Sequence, residues 1–194
     1  MQYVPMLILI GLITTGAAVA APYTIDTAHS SVGFEIRHLV ARVSGGFTDF
    51  KGTIVFDPAD PAKSKVEAII QTASISTNNQ QRDTHLRSAD FFDAATYPTL
   101  TFTSTKVEKL SPTKGKVHGT LTLHGVSKAV VLEVEYLGQT ANPFDPSKSK
   151  LGFVATTTIN RKDFGLSWNK VLDKGSLLLG EEVKIVLNIE ADGP

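Results

Sequence analysis

The sequence contains no cysteine among its 194 residues, and this absence removes several kinds of chemistry at once. Disulfide bonds, thiolate metal sites, cysteine nucleophiles and a lipid-modified N-terminal cysteine are all excluded. An excess of charge is missing too, because 19 Lys and Arg residues balance 19 Asp and Glu residues. Without a basic excess, sequence-independent binding of nucleic acid is not expected. A hydrophobic content of 42% is far from that of disordered chains, and the sequence predicts one folded domain.

The N-terminal segment lacks charged side chains altogether, since the first of them is Asp26. An apolar run over residues 6–13 is followed by small residues that end in Ala18-Val19-Ala20. This order is typical of a secretory signal with an A-x-A cleavage site, although Lys and Arg are missing from its start. We therefore predict a cleaved signal over residues 1–20 and a mature domain over residues 21–194. A membrane anchor is the alternative, but the run is short of the roughly 20 apolar residues that a span requires.

Most of the mature chain shows the period-2 alternation that is typical of half-buried β-strands. Turn-forming pairs such as Asp57-Pro58, Lys114-Gly115 and Asn142-Pro143 separate the alternating stretches. The predicted strands cover residues 31–38, 43–47, 52–57, 65–76, 99–107, 116–124, 129–137, 153–159 and 183–190.

One segment departs from the strand pattern and predicts a short helix over residues 81–92. Its residues are good helix formers without Gly or Pro, Asn79 is a suitable N-cap, and Pro98 stops any continuation. We expect Leu86, Ala89 and Phe92 to pack this helix against the sheet.

Eight or nine antiparallel strands need both sheet edges covered, which a closed barrel or a two-sheet sandwich achieves. The faces expected to point inward mix large and small side chains, a composition that suits an unfilled cavity. A barrel of eight strands is about the size that encloses one small ligand, so the pattern favours a barrel. The inward residues in question are Phe34, Phe102, Phe153 and Tyr136, together with Ser104, Gly119, Ala155 and Thr157.

The five histidines do not show the spacing of a metal site, since no His-Glu-x-x-His pattern occurs. Asp26, His29 and Ser30 are too close in sequence for a hydrolytic triad and are expected to hydrogen-bond their own turn. His38 shares a strand face with Phe34, and His85 lies in the predicted helix. Both are candidates for polar contacts with a ligand headgroup, although a hydrogen-bonded packing role is the commoner one for either histidine taken alone.

Two charged units, Arg82-Asp83 and Arg161-Lys162-Asp163, offer arginines that could be partly buried. A buried guanidinium can donate to several backbone carbonyls, and we expect such an arginine to fix a long loop.

Several motifs of the mature chain occur together and in order from about residue 22 to 191. They are the opening over residues 23–34, Val43-Ser44-Gly45-Gly46-Phe47, the Arg-Asp-Thr-His-Leu unit over residues 82–86 with Phe91-Phe92-Asp93 and Tyr97-Pro98, the stretch over residues 118–126, the stretch over residues 159–165, and Gly180-Glu181-Glu182-Val183. In these motifs the chain resembles the YceI-like family of bacterial secreted proteins. One departure is Leu123-His124, where an Ile-Arg or Ile-Lys pair is common.

The resemblance implies an all-β fold, an eight-stranded antiparallel lipocalin-like β-barrel with one short helix near the barrel end. It also implies a periplasmic protein whose apolar channel binds a polyprenyl lipid or quinone, or a fatty acid or amide. No catalytic residues, metal or nucleic-acid partner follow from it, and a homodimer and a transient membrane contact stay open. The residues predicted to contact the ligand are Phe34, Ile36, His38, Phe47, His85, Leu86, Phe92, Phe102, Leu121, Leu123, Phe153, Phe164 and Trp168.

Two other functions are compatible with the same residues. One is a secreted hydrolase or isomerase that uses His29, His38 or His85 on a lipid or metabolite. The other is a barrel with a filled interior that acts through an exposed apolar patch on its surface.

Overall fold

The computed structural model describes residues 22–172 and 175–194, which form eleven β-strands and one α-helix. The predicted signal over residues 1–20 lies outside these residues. None of the described helices is long and apolar enough to cross a membrane. The strands are β1 (Pro22–Ile25), β2 (Ser31–His38), β3 (Ala41–Phe47), β4 (Phe50–Val55), β5 (Lys65–Gln71), β6 (Ile75–Ser76), β7 (Thr99–Lys109), β8 (Lys114–Leu123), β9 (Val126–Asn142), β10 (Asp145–Asn160) and β11 (Leu179–Gly193), and the helix is α1 (Gln80–Arg87).

Antiparallel pairing closes the described strands into a barrel of eight. Three consecutive pairs, β1 with β2, β3 with β4 and β5 with β6, each serve as one bent strand, and β7 to β11 complete the ring. The barrel closes where both halves of the first bent strand pair with β11, as in the register Ile25↔Ala191 and Phe34↔Ile185. The predicted eight-stranded antiparallel barrel is confirmed, and closure leaves no long edge open.

The bends come from short turns inside stretches with strand-like patterns. The predicted strand over residues 65–76 is wrong in one respect, because the 3-10 turn Thr72–Ser74 divides it. Thr72 is buried at the break, and its hydroxyl donates to the carbonyl of Tyr97 at 2.7 Å. This bond connects the break to the segment that leads into β7.

Inward and outward faces alternate along the barrel strands as the sequence predicts. On β8, Val117, Leu121 and Leu123 are buried, while Thr120 and Thr122 are only half-buried. Because successive side chains of a strand point to opposite faces, this alternation determines which residues of each strand face the barrel interior.

Helix α1 covers one end of the barrel and is shorter than predicted. Asn79 caps it, since its side-chain oxygen accepts the N–H of Arg82 at 3.0 Å. The helix ends at Arg87 because Ser88 adopts an extended conformation and its hydroxyl donates to the carbonyl of His85. Ala89 therefore falls beyond the helix and is exposed, so its predicted packing role is wrong.

Arg161 fixes the loop after β10 from inside the protein, as predicted for a buried arginine. Its side chain is 3% exposed, its Nε donates to the carbonyl of Gly180 at 2.9 Å, and its Nη1 donates to the carbonyl of Leu166. The first bond reaches β11 and the second reaches the loop, so one guanidinium ties the two together.

A charged cluster lies where the barrel closes. The ammonium of Lys150 on β10 donates to Asp26 at 3.2 Å and to Glu190 at 2.7 Å, and it lies 2.9 Å from Asp192. Nδ1 of His29 lies 2.8 Å from the Asp26 carboxylate. The Asp26 carboxylate also accepts the N–H of Ala28 at 2.9 Å, so the predicted turn bonding of Asp26 and His29 is confirmed. The hydroxyl of Ser30 instead exchanges hydrogen bonds with the backbone of Glu190 on β11.

This cluster stabilises the folded barrel at neutral pH, and we expect the barrel to lose that contribution in acid. The His29 ring holds the pKa of Asp26 down at about 2, against an ordinary 3.8, so its stabilising effect is lost as the pH falls from about 4 towards 2. The same contact raises the pKa of His29 above 6.5, and that contribution disappears as the pH rises through the folded-state value. The free energy of unfolding, measured in urea across the pH range, tests both the loss in acid and the loss at higher pH.

Asp26→Asn is the variant that tests the loss of stability in acid. It should flatten the loss of stability between pH 4 and 2 and return the His29 ring titration, followed by NMR, towards its ordinary midpoint. Equal pH slopes for the variant and the original protein would show that this ion pair does not contribute.

Candidate functional site

The barrel interior contains an elongated cavity of about 830 Å³ lined mainly by apolar side chains. Ligand pockets for small molecules typically measure about 300–1,000 Å³, so the interior of this barrel is large enough for a ligand. One end of the cavity, here called the mouth, lies among α1, the β2–β3 hairpin and the loop between β10 and β11. The other end lies at the β7–β8 turn, where Ser111 and Thr113 contribute to the lining.

The structure brings twelve of the thirteen predicted ligand residues together around this single cavity. Their contact with a ligand stays a prediction. The lining members are Phe34, Ile36, His38, Phe47, His85, Leu86, Phe92, Phe102, Leu121, Leu123, Phe153 and Trp168.

The exception is Phe164, which is 2% exposed and does not belong to the cavity lining. It lies in the 3-10 helix Arg161–Phe164, and its carbonyl accepts a hydrogen bond from Nδ1 of His124 at 3.2 Å. Phe164 thus packs the end of the barrel from the outside of the cavity. Its position in a loop gave the sequence no periodicity from which its direction could be predicted.

Aromatic rings form a continuous row from the barrel wall to the helix end. Phe34 and Phe47 have ring centroids 6.1 Å apart, and Phe47 meets Phe92 edge-on at 5.8 Å. At the mouth, His85, Phe91 and Trp168 form a triangle with all three centroid distances at 5.0 Å. These rings give the mouth an apolar wall with the imidazole of His85 as a polar element.

A second aromatic group, Phe56, Tyr136 and Phe153, lines the cavity towards its far end. Its ring centroids are 5.1–5.6 Å apart. Burial raises the pKa of the Tyr136 hydroxyl, which is consistent with a poorly hydrated position. Phe56 was missed by the sequence prediction, although it shares strand parity with Ile54 and that alternation could have identified it.

The small inward residues serve two different purposes. Ala155 and Thr157 line the cavity and leave space in it. Gly119, in contrast, leaves room for the ring of Phe102, because a Cβ at Gly119 would lie 2.3 Å from the ring edge. The hydroxyl of Ser104 accepts the N–H of Val66 at 2.8 Å and does not line the cavity. Only two of the four predicted small residues therefore contribute free volume.

The histidines do not converge on one chemical centre within the described residues. His38 and His85 line the mouth, and Nε2 of His85 lies 2.8 Å from the carboxylate of Asp90. His29 is outside the cavity with Asp26 and Glu190, and the ammonium of Lys150 occupies the position between those two carboxylates. A resident ammonium there disfavours a metal ion, because it already supplies the positive charge.

A family model and a similar protein identify the same family for this chain. Residues 23–191 match the family model described as the YceI-like domain. The chain is 41% identical over 182 residues to Protein YceI of Salmonella arizonae, covering 92% of this chain and 91% of that protein.

Solved structures share the barrel. The Campylobacter jejuni YCEI protein is 38% identical with a TM-score of 0.71, over 87% of this chain and 96% of that one. A polyisoprenoid binding domain from Saccharophagus degradans, described as implicated in plant cell wall breakdown, has a TM-score of 0.61 at 19% identity. That match covers 89% of this chain and 98% of the other, and it shows a common fold.

Proposed function

Because the chain belongs to the YceI-like family, we propose that it binds a long-chain isoprenoid or a related amphiphilic lipid inside its barrel. The observation that carries the proposal is the cavity of about 830 Å³, whose walls are mainly apolar from the mouth to the far aromatic group. The name of the structural relative from Saccharophagus degradans supports the same class of ligand.

The apolar wall is sufficient to drive binding. Burial of each CH₂ group contributes about 0.8 kcal/mol, so about ten groups contribute roughly 8 kcal/mol before association costs of several kcal/mol. The charged groups of the protein are not required for this affinity. That agrees with the balanced charge of the chain.

We place the polar headgroup at the mouth and the hydrocarbon tail along the barrel axis. His38 and His85 both border the mouth, and each imidazole can donate or accept a hydrogen bond. Phe153 and Phe56, further along the cavity, offer hydrocarbon surface to the tail. A polyprenyl quinone and a polyprenyl phosphate both have this division between head and tail.

Transport or sequestration of such a lipid in the periplasm is the role that fits best. The signal-like segment over residues 1–20 supports export from the cytoplasm. A closed barrel shields the tail from water, and a lipid could cross an aqueous compartment inside it. We favour binding over catalysis because, among the described residues, the ring of His85 faces the carboxylate of Asp90 and neither His38 nor His85 has a Ser or Thr hydroxyl within hydrogen-bond distance of its ring.

The decisive experiment is extraction of the purified mature protein with organic solvent, followed by mass spectrometry. We expect a stoichiometric isoprenoid or fatty lipid, and we expect delipidated protein to take up a fluorescent polyene. Absence of any co-purified lipid combined with no polyene uptake would overturn the proposal.

A further inference from the structure

The β2–β3 hairpin presents apolar side chains to solvent at the mouth. Val40 at its tip is fully exposed, and Leu39 beside it is 43% exposed. Leu39 also has a φ of +52°, a left-handed conformation that is unfavourable for a residue other than glycine. A folded chain gains nothing in water from holding two apolar residues in this way, which points to a partner.

Two arginines flank this tip on opposite strands. Arg37 and Arg42 are direct cross-strand partners, and like charges in that position destabilise a hairpin. The Arg37 guanidinium donates to the carbonyl of Leu39 at 3.0 Å, so its charge is held next to the tip. Glu35 lies on the same face of β2 as Arg37, but its cross-strand partner on β11 is the basic residue Lys184.

The loop between β10 and β11 adds a second exposed group beside the hairpin. Val171 in this loop is 67% exposed. The N–H of Leu39 donates to the carbonyl of Leu178, and the N–H of Leu178 donates to the carbonyl of Lys170. Leu178 also lines the cavity, so the exposed apolar residues are continuous with the mouth.

We propose that this surface, formed by Leu39, Val40 and Val171 with Arg37, Arg42 and Lys170, docks the mouth of the barrel onto an anionic phospholipid bilayer. The apolar side chains would enter the interfacial region while the cations contact lipid phosphates, an arrangement typical of interfacial binding. A second copy of the chain fits this surface less well, because a symmetric contact would bring the two arginine pairs together. Docking of the surface does not require a ligand in the cavity.

Sedimentation with vesicles tests the proposal. The mature protein should bind vesicles of phosphatidylglycerol and phosphatidylcholine much more strongly than vesicles of phosphatidylcholine alone, and salt should weaken the binding. Arg42→Glu changes the local charge by two and should weaken binding about 20-fold, and Val40→Asp should weaken it at least about tenfold.

The chain offers a matched control for each variant. Phe144 is 94% exposed in the turn between β9 and β10, at the end of the barrel opposite the mouth, and Lys148 is an exposed cation on β10 near the same turn. Phe144→Asp and Lys148→Glu should leave vesicle binding unchanged. Equal losses in the controls, or no loss in Val40→Asp and Arg42→Glu, would overturn the proposal.

Two further measurements separate the alternatives. Analytical ultracentrifugation without vesicles should give a monomer. A dimer that Val40→Asp dissociates would show that a second copy of the chain covers this surface, and it would overturn docking to a bilayer. A variant whose cavity is blocked, such as Thr157→Phe, should still bind vesicles. Loss of lipid uptake with intact vesicle binding would therefore support bilayer docking, independently of the proposed binding of a lipid in the cavity.

Discussion

Thr157→Phe should lower the affinity of the barrel for a polyene or isoprenoid probe by about 100-fold. Thr157 lines the cavity from near the C-terminal end of β10, where Ile185 of β11 is its cross-strand partner. A phenyl ring at this position would displace about four CH₂ groups of the ligand, which corresponds to roughly 3 kcal/mol of lost burial. Fluorescence titration of delipidated protein measures the effect.

The neighbouring residue provides the control. Thr158 is exposed on the outer face of the same strand, opposite Lys184 of β11. Thr158→Phe adds the same ring to the same strand and should leave the affinity unchanged. Both variants should keep the far-UV circular dichroism of a β-barrel, and equal affinities for the two would show that the ligand does not occupy the barrel interior.

Arg161→Met should lower the free energy of unfolding by about 3 kcal/mol. The substitution removes the donors of the Gly180 and Leu166 carbonyls, which are both buried, and each unsatisfied carbonyl costs about 1–3 kcal/mol. Part of the loss is offset, because burial lowers the pKa of Arg161 and its charged form is poorly solvated. Urea unfolding at neutral pH measures the difference.

Lys162 is the matched control, since it follows Arg161 directly but forms an exposed ion pair with Glu181. Exposed pairs contribute about 0–1 kcal/mol, so Lys162→Met should change the stability by less than about 1 kcal/mol. Similar losses in both variants would mean that the loop is held by something other than the buried guanidinium.

Local patterns in the sequence explain why so much of the site could be predicted. The alternation along β2 places Phe34, Ile36 and His38 on one face, and all three line the cavity. A strand face depends only on neighbouring residues, and it is therefore readable without knowledge of the fold. The N-cap at Asn79 is another local feature, because its hydrogen bond reaches only to Arg82.

Predictions failed where the outcome depended on distant segments. The bend at Thr72 is fixed by the carbonyl of Tyr97, which is 25 residues away. Whether Gly119 adds free volume depends on the ring of Phe102 on the paired strand, and that ring occupies the space. Phe164 lies in a turn, where side-chain direction has no fixed period, and packing against the barrel end decided its burial.

The sequence alone determined the strand faces, the helix start, the family and the kind of surface that the barrel would enclose. The tertiary structure decided where the strands bend, which side chains fill the interior and how much of it stays open. The physical reason is that residue periodicity is a property of a single strand. Free volume is different, because it depends on how side chains from all the barrel strands meet across the interior.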